Sequence, residues 1–265
     1  MTAARLAGLG VVITRPKAAA EALADALGRE GARTWIFPAL AIEDISLSEE
    51  TLEALDDLAA CSVAIFVSAN AAEKGLEIVR ERGPWPEGVE VAAVGDATAN
   101  VLRNSGLVAV ISPSGRQDSD GLLEMSRLHQ VKGENIIVFR GESGRERLRK
   151  VLQERGARVR YAECYRRVRP KVDAAPLLEA WSRNEIHAVG VLSAESLVNF
   201  VEMVGEDGRA ALGRTALVVP HEAIARHPEA RRFARVELAL PGPGGTIEAL
   251  ERIRRDAGLA AGTMR

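Results

Sequence analysis

The chain has 265 residues, 47% hydrophobic and 27% charged, a composition suited to one large or two small globular domains. Thirty-five basic against 37 acidic side chains leave a formal charge of −2, without the basic excess of an extended nucleic-acid surface or of counterion-driven membrane binding. Aromatic residues, at 4%, are too scarce for base-stacking platforms.

Gly10–Thr14 reads as a buried strand, Ala18–Arg29 as a helix stopped by Gly31, and Arg33–Phe37 as a second strand ended by Pro38. Val63–Val67 is a strand running into a helix at Ala69–Arg82, with Ser68 placed as the N-cap. Val89–Val94 is the next strand, Gly95 a tight turn, and Thr98–Asn104 a helix closed by Gly106. A strand at Val108–Ile111, the loop Ser112–Ser119 and a helix at Gly121–His129 follow. Short strands feeding longer helices are the pattern of parallel α/β folds. Cys61 and Cys164 sit beside apolar stretches and read as two buried, reduced thiols. The N-terminal MTAARLAGLGVVITRPK lacks the charge and apolar core of a signal peptide, and no apolar run is long enough for a membrane span. The expected location is the cytoplasm.

Displacing the sequence by 125 residues superposes its two halves almost without gaps. VVITRP (Val11–Pro16) falls on IIVFRG (Ile136–Gly141), and AIFVSA (Ala64–Ala69) on VGVLSA (Val189–Ala194). AAVGDA (Ala92–Ala97) falls on LVVPHE (Leu217–Glu222), and the Gly-rich loops SPSGRQDSDGLL and LPGPGGTIEAL also meet. A constant register along the chain indicates two homologous α/β halves. Pro38–Ile42 and Cys164–Pro170 are extended, proline-marked segments at one place in the repeat, as expected of crossover strands. The pattern leaves open whether each half folds by itself or the halves exchange their first β-α-β units.

No nucleophile elbow, P-loop or dinucleotide fingerprint is present, and no His/Cys/Asp cluster has metal-ligand spacing. Gly141-Glu142-Ser143-Gly144-Arg145 follows a strand and reads as opening a helix, where backbone N–H groups could hold an anion; the alternative is a plain βα turn. Small or hydroxyl residues gather where strands end: Ser68, Gly95–Thr98, Ser143, Ser193, the Ser112–Ser119 loop with Ser114, and Pro241–Thr246. In an open parallel sheet this edge binds ligands, and helix N-termini there supply donors and partial positive charge. Arg15 and Arg140 end equivalent strands and are candidates for substrate carboxylates. Tyr165 offers a phenol that could protonate a departing hydroxyl. The plainer readings are N-caps for the serines, solvated cations for the arginines and a linker anchor for Tyr165.

VVITRP, VSANA, VGDATA, VFRGESGRERLRKVLQERGARV and AECYRRV, in that order between about Val11 and Leu250, together resemble the uroporphyrinogen-III synthase family. The resemblance implies an α/β fold of two flavodoxin/Rossmann-like parallel-sheet domains joined by a two-stranded linker. It places residues 1–38 with 171–265 in one discontinuous domain and 43–163 in an inserted one, with 39–42 and 164–170 as linker strands. It also implies a reaction needing no cofactor and no metal. Hydroxymethylbilane, a linear tetrapyrrole bearing eight carboxylates, loses water, inverts its terminal (D) ring and closes to uroporphyrinogen III. A transient handover from hydroxymethylbilane synthase to a monomer, with no nucleic acid or membrane involved, completes the expectation. By position, Tyr165 matches the tyrosine that assists hydroxyl departure, and Ser68, Asn70, Thr98 and Ser193 match turns that hold substrate. Arg15, Ser114, Arg140, Ser143 and His221 complete the candidate set. The second VGxxTA turn reads VVPHEAIA, so His221 is expected to replace a hydroxyl as donor to a propionate. Two other classes compete: a catalytically silent tetrapyrrole- or anion-binding module, and a nucleotide-sugar transferase. Against the transferase stands the lack of a dinucleotide fingerprint or an acidic metal-binding pair.

Overall fold

In the computed structural model, residues 4–257 are described. Strand β1 (Gly10–Ile13), buried at every position, leads through α1 (Lys17–Arg29) to β2 (Arg33–Ile36). After β3 (Ala41–Glu43) come α2 (Glu49–Asp56), β4 (Val63–Phe66), α3 (Ala69–Arg82), β5 (Glu90–Ala93), α4 (Asp96–Asn104) and β6 (Val110–Ile111). Next are α5 (Ser119–Leu123), β7 (Asn135–Gly141), α6 (Arg147–Glu154) and the long β8 (Arg158–Val168). The chain continues through α7 (Ala175–Ser182), β9 (Ala188–Gly190), α8 (Ala194–Met203), α9 (Gly205–Leu212) and β10 (Ala216–Val219). It closes with α10 (Glu222–Ala225), β11 (Arg235–Leu238) and α11 (Gly242–Asp256). No helix among the described residues is long and apolar enough to cross a membrane.

Two sheets organise these elements, a five-stranded one ordered β11-β10-β9-β1-β2 and a six-stranded one ordered β3-β8-β7-β4-β5-β6. The chain divides into two compact units: unit 1 runs up to Ala41 and resumes at Val168, and unit 2 is Ile42–Arg167. Displaced by 125 residues, β1 and β2 fall on β7 and β8, β4 on β9, and β5 and β6 on β10 and β11. Each sheet therefore joins the first β-α-β unit of one half to the later strands of the other. The exchange that the repeat leaves open is present in the sheet order.

Register carries the same message. Val11 opposite Ala188 corresponds to Ile136 opposite Val63, and Gly10 opposite Arg33 to Asn135 opposite Arg158. Val91 opposite Val110 corresponds to Ala216 opposite Arg235, while the β4–β5 pairing is one residue out of step with β9–β10. A slip of one residue sends each side chain to the opposite face. The cores therefore match along β1 and β4 with their counterparts β7 and β9, whereas Val91 and its counterpart Ala216 serve opposite faces.

Both faces of each parallel sheet are covered, and alternate residues of one strand serve different cores. In β1, Val12 packs with Trp181, Phe200 and Leu217, whereas Val11 and Ile13 pack with Leu23, Leu27 and Leu250. In β4, Ala64 and Phe66 face Leu76 and Phe139, whereas Val63 and Ile65 face Leu122 and Leu152. This is why the central strands read as unbroken apolar runs.

Three local expectations need correction. The helix expected at Gly121–His129 is instead α5 followed by a 3-10 turn at Ser126–Leu128. Asp118 accepts the N–H groups of Asp120 and Gly121 and starts α5 early, and Met125, in extended conformation, separates the turn from it. The strand expected from Val108 is only Val110–Ile111 at the sheet edge, and Val108 is 82% exposed. Both cysteines are free, but only Cys164 is buried, its thiol pushed up to about 12 by desolvation; Cys61 is half-buried.

Where β1 begins, His187 Nδ1 accepts the Gly10 N–H at 2.9 Å, which requires that nitrogen to be unprotonated. Burial holds the imidazole below its usual value. The unfolded chain thus takes up the proton first. The stability this bond confers is complete above the unfolded-chain pKa of about 6.5 and is lost as pH falls towards the lower folded value. Melting temperatures measured from pH 7.5 to 5.5 should fall more steeply for the wild type than for His187→Asn, whose amide oxygen accepts without titrating. Equal slopes would exclude His187 as the acid-sensitive group.

Candidate functional site

Unit 2 carries a cavity of about 370 Å³ where β4, β5 and β7 end, lined among others by Val67, Arg140, Ser143, Arg145, Tyr161 and Tyr165. Tyr165 reaches it through an irregularity in β8. The β7–β8 register shifts between Arg140 and Gly141, so that Arg140 lies opposite Glu163 and Gly141 opposite Tyr165. Strict alternation from Ala162 and Cys164 would turn Tyr165 to the other face. The bulge instead keeps it in the core that holds Ala162 and Cys164, with its side chain 1% exposed. Gly141 makes room, because a Cβ there would stand 2.9 Å from the Tyr165 ring.

Tyr165 Oη is hydrogen-bonded to Ser68 Oγ at 3.1 Å. Ser68 is also the N-cap of α3, its Oγ accepting the Ala71 N–H at 3.0 Å. One hydroxyl therefore ties the phenol to the positive end of a helix. Ser193, the counterpart in unit 1, caps α8 by accepting the Ser196 N–H at 3.0 Å, but Leu40 occupies the position equivalent to Tyr165. The phenol exists in one unit only. Ser68→Ala is expected to lower the unfolding free energy by about 1 kcal/mol, the usual worth of such a cap, as read by urea titration. Stability equal to the wild type would refute the capping role.

Arg140, at the end of β7, is 5% exposed. Its Nε donates to Gly141 O at 3.1 Å, its Nη1 donates to Glu146 Oε1 at 2.8 Å, and its guanidinium carbon lies 4.2 Å from the Tyr161 ring centroid. The second oxygen of Glu146 accepts the Tyr161 O–H at 2.8 Å. Hydrogen bonds from Arg140 and Tyr161 hold the Glu146 carboxyl below the usual range. Burial, with Glu146 as acceptor, pushes the Tyr161 phenol up to about 12, so it stays a donor. Arg149 also lies over Tyr161 at 4.2 Å. On the remaining side of Arg140, Gly144 has φ +156°, and a Cβ there would come within 2.9 Å of Nη2. Glycine at 144 spares Nη2 that clash, and Nη2 carries neither of the hydrogen bonds above.

The Gly141–Arg145 string does not run straight into a helix, as its sequence suggests. Helix α6 begins at Arg147 after Glu146, so the loop amides are not that helix's N-terminus, and Ser143 lines the cavity from an exposed position.

Unit 1 has a smaller cavity of about 200 Å³ at the equivalent strand ends, lined mainly by apolar groups together with Arg15. Arg15 is half-buried, has no hydrogen bond or ion pair among the described residues, and is held below its usual pKa by desolvation. Its repeat counterpart of Glu146 is Glu21, which is exposed within α1. Asn70 is half-buried in the first turn of α3, Thr98 is buried in the first turn of α4, and Ser114 is exposed in the loop before α5. His221 is exposed at the N-cap of α10 and its side chain makes no cap bond. None of these four residues, nor Ser193, lines either cavity. Sequence reasoning passed over Glu146 and Tyr161, although Tyr161 is one of only two tyrosines, a scarcity that could have pointed to it.

The family model described as uroporphyrinogen-III synthase HemD matches residues 21–240. The uroporphyrinogen-III synthase of Escherichia coli (strain K12) is 28% identical over 193 residues, 71% of this chain and 77% of its own length. That of Salmonella typhimurium is 29% identical over 190 residues, with the same shares. A mutant uroporphyrinogen III synthase from the extremely thermophilic bacterium Thermus thermophilus matches with a TM-score of 0.62 at 19% identity, covering 94% of this chain and 99% of that one. The uroporphyrinogen-III synthetase of Helicobacter pylori matches with a TM-score of 0.57 at 12% identity, covering 91% and 97%. At these identities the structural matches bear on the fold alone.

Proposed function

Because the chain belongs to the uroporphyrinogen-III synthase family, we propose that the cavity of unit 2 is where hydroxymethylbilane loses its hydroxyl group, with Tyr165 as the proton donor. The family's reaction closes hydroxymethylbilane to uroporphyrinogen III, releasing one water and inverting the terminal ring. The electron pair of the hydroxymethyl-bearing pyrrole expels the oxygen, the C–O bond breaks, and a proton from Tyr165 Oη turns the leaving hydroxide into water. The electrophilic methylene that results must be attacked by the substituted α-carbon of the terminal ring, not by its free one. The older bond from that carbon to the methylene of the neighbouring ring then breaks. The released methylene is taken up by the ring's free α-carbon, and that carbon loses its proton, leaving the ring inverted. Holding the chain for that attack is catalysis by positioning.

The observation that carries this reading is that Tyr165, which lines the cavity together with Arg140, is hydrogen-bonded to Ser68, which stands behind it outside the lining. Ser68 Oγ already accepts the Ala71 N–H; giving its own proton to Tyr165 Oη leaves the phenolic O–H free to face substrate. The positive end of α3 then steadies the phenolate until the pyrrole proton lost on closure returns to it. Arg140 and Ser143 hold one substrate carboxylate at the cavity of unit 2; Arg15, at the equivalent strand end of unit 1, is a second candidate for a carboxylate. An overall charge of −2 suffices if eight carboxylates meet such placed donors. Asn70, Thr98, Ser114, Ser193 and His221 have no part in this reading. The enzyme is further read as a cytoplasmic monomer supplied by hydroxymethylbilane synthase. Hydrogen exchange with uroporphyrin III bound should slow at residues 67–72, 139–147 and 161–167. Unchanged exchange there, with protection elsewhere, would move the site.

A further inference from the structure

We propose that Glu146, assisted by Tyr161, is a positioning residue that fixes the open edge of the Arg140 guanidinium for a substrate carboxylate. This rests on the reading that Arg140 binds substrate. A guanidinium recognises a carboxylate through a planar fork, so its plane and its rotation about the side-chain axis both matter. Here each is set by a different contact. The Tyr161 ring, 4.2 Å from the guanidinium carbon, sets the plane. The bonds to Gly141 O and Glu146 Oε1, at 3.1 and 2.8 Å, set the rotation. Glu146 links the two, because its other oxygen holds the Tyr161 hydroxyl at 2.8 Å. Nη2, beside Gly144, carries none of these bonds, and Arg140 lines the cavity, so this is the edge available to a carboxylate.

Glu146 is well suited to this work through Arg140 and poorly suited to a packing role. Its side chain is 62% exposed, while that of Arg140 is only 6% exposed. It is the N-cap residue of α6, but its side chain makes no cap bond. Arg149 pairs with Glu50 at 3.0 Å, so a second cation stands over Tyr161 with a carboxylate of its own.

The test is steady-state kinetics with hydroxymethylbilane, paired with uroporphyrin III binding followed by fluorescence. Glu146→Ala should raise KM and the porphyrin Kd about tenfold with kcat within about twofold, while the product remains the type III isomer. Glu146→Gln, which keeps one acceptor for Nη1, and Tyr161→Phe, which keeps the ring, should each raise them about threefold. In an Arg140→Ala background, Glu146→Ala should change neither constant further, since residues acting through one another are not additive. A lowered melting temperature with KM unchanged, a lowered KM, or a further rise in the double variant would overturn the proposal. Glu146→Gln serves if the alanine variant does not fold. Failure of the parent reading looks different: the wild type itself would release only the type I isomer.

Discussion

Tyr165→Phe is expected to lower kcat for hydroxymethylbilane by about 10²-fold, the low end for loss of a general acid, while KM stays within about twofold. The reason is local. Phenylalanine keeps the ring that fills the space beside Gly141 and loses only the hydroxyl on Ser68. Ser68 retains the Ala71 N–H, so α3 stays capped and the fold gives up about 1 kcal/mol for one hydrogen bond. The proton moves only as the C–O bond breaks, so ground-state binding is nearly unaffected. Initial rates at limiting enzyme, with melting temperature as a control, decide it. A rate equal to the wild type would remove Tyr165 from the chemistry.

Arg140→Ala should act on the other constant, raising KM about 10²-fold. A desolvated, charge-assisted pair to a carboxylate is worth about 1.5–3 kcal/mol, which is roughly 10- to 150-fold. Stability should suffer less than a buried ion pair suggests, because the abandoned Glu146 carboxylate is mostly exposed and can hydrate. Arg140→Lys is the sharper variant. It restores the charge but not the planar fork, nor the stacking on Tyr161, and should recover less than about a tenth of the lost affinity. Full rescue by lysine would reduce Arg140 to a point charge.

Much of the fold was legible because the repeat is written in the register. Val11 and Ile136 are 125 residues apart, and each sits opposite the other half's equivalent strand, Ala188 or Val63. Which half supplied the partner was not legible in the repeat. β1 and β7 carry the same apolar alternation, so either sheet would accept either strand; the repeat itself leaves the exchange open, the family resemblance implies it, and the sheet order shows it.

The site divides in the same way. A scarce phenol in the second crossover singled out Tyr165, and matching strand ends singled out Arg15 and Arg140. The bond from Tyr165 to Ser68 was hidden, because it depends on a bulge opposite Arg140 and Gly141 that alternation does not foretell. Glu146 was hidden for a related reason. Glu142–Arg147 is a run of charged and small residues with no capping signal at Glu146. Its repeat counterpart Glu21 lies inside α1, whereas Glu146 stands just before α6 and turns to Arg140. One late helix start converts a surface glutamate into a partner of the buried arginine.

The most direct test of the account is the isomer made from hydroxymethylbilane. Product formed at increasing enzyme concentration, oxidised to porphyrin and separated by chromatography, should shift from the spontaneous type I isomer to type III in proportion to enzyme. Product that stays type I at high enzyme concentration, even with tight porphyrin binding, would contradict it.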